Sequence, residues 1–187
     1  AFRVPLDTDL ERANYRVSVL EGALASVTIQ VVATFTPVFA LQLGATNQQV
    51  GLFYSLPFLF NITALLVTQR FLGEQADLVR WGQGAAFIHR LLILLFITAP
   101  LLGALSVWWI VGLYSIASAV MAVSSVLWQG ISSDMFPEST RGAVFGTRAM
   151  YTGLAGLLSV TVAGKVLDVV SYPANFTLVF VAVALIG

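Results

Sequence analysis

The sequence predicts an all-α, polytopic membrane helix bundle, and three observations carry that prediction. Near-continuous apolar runs cover 17–43, 48–69, 84–103, 105–130, 143–167 and 174–187. Hydrophobic residues make up 58% of the chain and charged ones only 10%, with mean hydropathy +0.91, a balance that excludes an ordinary soluble domain. Most charges gather at alternate breaks between the runs.

The first five runs are long enough to cross a hydrocarbon core of roughly 30 Å at about 1.5 Å per residue. The sixth stops at Gly187, so the chain is expected to end inside a helix. It begins at Ala1 without Met, and the mixed-charge segment 2–16 lacks a signal peptide's apolar core. The expectation is a single membrane domain over 1–187, a fragment cut at both ends.

Turn chemistry marks where the helices begin and end. Leu43-Gly44-Ala45 closes the first helix with Gly at a C-cap position, and Thr46 with Gln49 offers a capping box for the second. Pro37 and Pro57 fall inside the first two spans, where they are expected to kink the helix. Short uncharged outer turns at 44–47 and 100–104 make neighbouring helices antiparallel.

Orientation follows from the basic residues. Arg3, Arg12 and Arg16 precede the first span; Arg70, Arg80 and Arg90 surround the second break; Arg141 and Arg148 follow the fourth span. Only Lys165, beside Asp168, falls on the other side, which predicts a cytoplasmic N-terminus. Trp81, Trp128 and Trp108-Trp109 read as interfacial anchors.

Polar residues inside the spans carry the functional information. Ser26, Gln30, Thr34 and Pro37 share one face of the first helix, and Tyr114, Ser118, Ser125, Gln129 and Ser132 form a similar stripe on the fourth. Such stripes either glue helices together or line a water-filled path. Their recurrence three helices apart suggests an internal repeat and favours the path. Asn61 reads as a helix-to-helix hydrogen bond. His89 reads as an interfacial histidine at the start of the third span.

Glu21, Arg90 and Arg148 are each placed one to two turns inside the N-terminal side of their helices, with Asp134 at the base of the fourth. They form a candidate charge layer, since intramembrane charges are costly unless paired. Glu21 lies nine residues before Gln30, about half a turn around the helix, and is expected to face away from the polar stripe and to serve in a structural or gating ion pair, with substrate contact and proton coupling as the alternatives.

The breaks on the N-terminal side also carry motifs. Gly73-Glu-Gln-Ala-Asp77 followed by Arg80-Trp-Gly82 resembles the loop between the second and third helices of the major facilitator superfamily, with two extra residues between its halves and no trailing basic run. Asp134-Met-Phe-Pro137-Glu-Ser-Thr-Arg141-Gly142 resembles that superfamily's connection between helices four and five. Leu43-Gly44-Ala45-Thr46 and Val50-Gly51 look like its first outer turn and second-helix start.

The resemblance covers the whole chain as the N-terminal six-helix half of such a transporter. It implies that helices one and four line a central cavity, and that Asp77 caps or pairs with a helix of the second half, with Arg80 in the same network. Asp134 and Arg141 would fasten helices four and five, with Gly142 and Gly146 allowing close packing. The fourth span lacks a buried Arg and the fifth lacks a Gly-Pro pair, which weakens proton-driven drug export.

Other chemistries find little support. No H-E-x-x-H, G-x-S-x-G or phosphate-cradling Gly-Lys loop is present, and Asp134 with Glu138 does not make an enzyme site. With no Cys there is neither a disulfide framework nor a thiolate metal site, and no cofactor is expected. The zero net charge argues against nucleic acid as a partner. The expected partners are a small-molecule substrate, the lipid bilayer, and a C-terminal half of the same chain or a second copy. The expected function is secondary transport of a small solute by alternating access at the plasma membrane, with Ser26, Gln30, Thr34, Tyr114, Ser118 and Ser125 lining the cavity. The alternative is a non-transporting receptor-like or scaffold bundle with packed, dry stripes.

Overall fold

The computed structural model describes residues 8–71 and 77–186, with the side chains of all but Phe71, Gly103, Ala104, Ser133 and Asp134. These residues form an all-α bundle: α1 (Asp9–Gln42), α2 (Asn47–Phe71), α3 (Leu78–Leu94), α4 (Ser106–Met135), α5 (Glu138–Val169) and α6 (Ala174–Ile186). A 3-10 stretch, Leu95–Leu105, joins α3 to α4. Five spans are long and apolar enough to cross a membrane, and the protein is a multi-pass membrane protein.

Local chemistry sets the ends. Helix α1 starts earlier than its apolar run because Thr8 and Glu11 form a capping box, and Arg12 pairs with Asp9 at 2.9 Å. Its C-terminus is a Schellman turn in which Gly44 N–H donates to Leu41 O and Ala45 N–H to Ala40 O. Gly44 holds φ 89°, a conformation open to glycine and strained for other residues. Thr46 and Gln49 make the predicted reciprocal cap of α2.

The third helix departs most from expectation. The apolar run begins at 84, but Asp77 accepts the Arg80 N–H at 3.0 Å and starts α3 at Leu78. The predicted outer turn at 100–104 lies within the 3-10 stretch.

Helix α1 packs mainly along α5, and α4 packs along both α2 and α3. Helix α6 bridges α1 and α3. Thr28, on α1, donates its buried hydroxyl to the Val183 carbonyl of α6. Thr28→Val keeps the shape and removes the donor, so it is expected to lower stability by about 1 kcal/mol in a denaturant titration. No change would show that this bond is not a fastening.

Packing is uneven along the bundle. On the side away from the α1 N-terminus, Phe39, Phe53, Phe96, Ile110 and Phe180 are buried in one apolar cluster. Phe180 stacks edge-on against Phe96 at 5.3 Å and Phe39 at 5.4 Å. Toward the α1 N-terminus, the space between α1 and α4 is not filled by such side chains, and two cavities lie there.

The G-x-x-x-G pair expected to bring backbones together does not do so. Both Gly142 and Gly146 have open space where a Cβ would stand. The close approaches are at Gly22 and Gly156, on the α1–α5 contact.

Candidate functional site

The larger of the two, about 430 Å³, is a half-open cavity lined by α1, α4 and α5. Ser26 and Gln30 reach it from α1, Ser125 and Gln129 from α4, and Arg148 and Thr152 from α5. A second recess of about 280 Å³ lies beside it, sharing Ile29, Met121 and Ser125. Tyr114 and Ser118 line this recess, together with Asn61 of α2 and His89 of α3. Helices α1 and α4 therefore supply wall to both spaces.

The predicted stripes come together only in part. Gln30 and Ser125 are exposed side chains on the larger cavity. Ser26 is 6% exposed and donates to the Thr152 carbonyl at 2.6 Å, so its hydroxyl is committed to the α1–α5 contact. Gly156 admits that contact, because a Cβ there would stand 2.8 Å from Gln30 Cγ and 3.0 Å from Ser26 Oγ. Thr34 is exposed and lines neither cavity. Ser132 turns back to the Trp128 carbonyl at 2.8 Å.

Charge is concentrated at one corner. Arg148 on α5 donates from Nη2 to Glu21 Oε2 at 2.5 Å and from Nε to the Ser18 carbonyl at 3.1 Å. Its guanidinium carbon lies 3.8 Å from the centroid of the Trp128 ring, within cation–π range. One arginine thus ties α5 to α1 and α4. Gly22 makes the seat: a Cβ there would stand 2.5 Å from the guanidinium carbon.

Four expectations are corrected by this geometry. Glu21 does not face away from Gln30; both line the larger cavity, whose wall wraps around α1 as it descends. Trp128 is not an interfacial anchor, since its ring carries the guanidinium and packs against Phe145 at 5.8 Å. His89 is not interfacial either: it is 8% exposed, eleven residues beyond Leu78 near the middle of the Leu78–Leu102 span. The same helix start places Arg90 deeper than one to two turns.

The remaining predicted residues lie apart from the cavities. Asp77 caps its own helix, Arg80 is exposed, and Arg141 donates to the Phe136 carbonyl at 3.1 Å. Arg3, residues 73–76 of the loop motif and the Asp134 side chain lie outside the described residues. Asn61 is not the helix-to-helix bond expected of it: its Oδ1 is buried without a hydrogen-bond partner among the described residues. No group of three or more His, Cys, Asp or Glu could hold a metal ion among the described residues.

The arrangement offers a small-molecule-sized space between the helices, with one charged corner and walls that mix neutral polar with apolar side chains. Compared with models of known protein families, with curated proteins and with solved structures, the chain matches none.

Proposed function

We propose that this protein moves a small solute across a membrane by alternating access, as the N-terminal half of a major-facilitator-like transporter with its N-terminus in the cytoplasm. The observation that carries the reading is the asymmetry of the bundle. A buried aromatic cluster fills one end, while the part-polar cavities between α1 and α4 run from its edge at Val32 and Tyr114 to the charged corner at Glu21 and Arg148. A solute path that is closed on one side and hollow on the other is what a rocking bundle requires. Arg148 would hold the hollow side together in one state and release α1 in the other.

A second reading has one observation in its favour. Ser26 spends its hydroxyl on the Thr152 carbonyl of the neighbouring α5, as a glue residue does. In a non-transporting bundle the other stripe residues would be equally packed and dry.

The chain has no cysteine, so Ser125→Cys gives a single reporter. In sealed vesicles it is expected to react with a membrane-impermeant thiol reagent from the α1 N-terminal side, and from the opposite side in a fraction of molecules. Complete protection from both sides would favour the dry bundle. Gln30→Ala is expected to reduce solute uptake while leaving membrane expression unchanged, and undiminished uptake would remove Gln30 from the path.

A further inference from the structure

The corner at Arg148 says more about the solute than the neutral walls do. A guanidinium has five N–H donors in a planar fork. One at Nε and one at Nη2 are used, leaving three without a hydrogen bond among the described residues. The group is held from several directions, by the Ser18 carbonyl, the niche at Gly22 and the Trp128 ring. Its side chain is 18% exposed.

Glu21 is held differently. Its side chain is 50% exposed, and Arg148 is the partner the structure gives it. Of the two ions, the arginine is fixed by its surroundings and the carboxylate is the one free to leave. Both line the larger cavity.

We propose that Arg148 is the recognition residue for an anionic solute, an amphipathic monocarboxylate, and that Glu21 is a tethered stand-in for the solute's carboxylate. This rests on the transport reading for its purpose, though not for its chemistry. Charge selects a monoanion: one carboxylate takes the fork while the half-exposed Glu21 swings its own charge out to solvent, whereas a dianion would leave an excess negative charge at the fork. The fork matches a carboxylate in bidentate geometry. Ala25, Ile29, Met121 and Gly153 supply the apolar wall for the rest of the molecule.

The test is equilibrium binding of radiolabelled benzoate to the purified full chain, with tetraethylammonium as the opposite-charge probe. Glu21→Gln removes the competing charge and is expected to tighten benzoate binding about tenfold, a gain that misfolding cannot imitate. Arg148→Lys keeps the charge and loses the fork, and is expected to weaken binding about tenfold. Benzoate binding that is unchanged or weaker in Glu21→Gln overturns the proposal. So does tetraethylammonium binding that disappears in that variant, because the carboxylate would then be the recognition residue.

Thiol labelling at Ser125→Cys separates the two readings. Two-sided labelling without benzoate binding in any variant ends the anion proposal and leaves transport standing. The expected benzoate pattern with one-sided labelling leaves the anion site and ends transport.

Discussion

Replacing Phe180 with alanine is expected to cost about 3–5 kcal/mol of bundle stability, the largest loss expected from a single side chain in this protein. The ring is 0% exposed and meets Phe39, Phe96 and Phe176 at centroid distances of 5.4, 5.3 and 6.1 Å. In a bilayer the lipid tails are as apolar as the ring, so little of this loss is hydrophobic transfer. What disappears is the ring's dispersion contact with its three aromatic neighbours, around a void between α1, α6 and the 3-10 stretch. Leu185→Ala, on a side chain that is 78% exposed, is the control and should fall within about 0.5 kcal/mol of the parent. Thermal or denaturant unfolding of both variants checks this. A Phe180→Ala loss no larger than the control's would show that the aromatic cluster does not hold the closed end together.

Apolar run length alone located the helices, because nothing else in a chain of this composition competes with spanning. It misplaced the start of α3. Trp81, Gly82 and Gln83 look like a loop by hydropathy, yet Asp77 supplies a cap and the helix begins at Leu78. That shift of six residues changes the depth of everything on α3, which is why His89 is buried on a recess wall instead of at a surface. The capping preference of Asp was the available signal, and hydropathy outweighed it.

Within the cavities, the polar faces of α1 and α4 were legible, whereas the depth of His89 and the direction of Trp128 were not. Periodicity put Gln30, Tyr114, Ser118 and Ser125 on shared faces, and those faces do line the spaces between α1 and α4. It could not foresee that Trp128 turns inward, since a tryptophan near a helix end satisfies the belt rule equally well on either face. Nor could spacing identify which glycines matter. Gly142 and Gly146 have the pattern without a neighbour, whereas Gly22 and Gly156 have neighbours without the pattern. A glycine's role depends on what crosses it, and that is a property of the partner helix.

Gly22→Ala tests this most sharply, because two effects of opposite sign meet at one atom. Alanine in place of glycine inside a helix stabilises by about 1 kcal/mol. Its Cβ would stand 2.5 Å from the Arg148 guanidinium carbon, so the guanidinium must move. Moving it gives up the bonds to Glu21 and the Ser18 carbonyl and the contact with Trp128. Charge-assisted hydrogen bonds are worth about 1.5–3 kcal/mol each, discounted here because Glu21 is half-exposed. The loss outweighs the gain, and Gly22→Ala is expected to destabilise by about 2 kcal/mol in all. In an Arg148→Ala background the obstacle is absent and only the helical preference remains, so there the same substitution should stabilise. Such a reversal of sign can come only from coupling between the two positions. Equal destabilisation in both backgrounds would mean that Gly22 is needed for some contact other than the seat of Arg148.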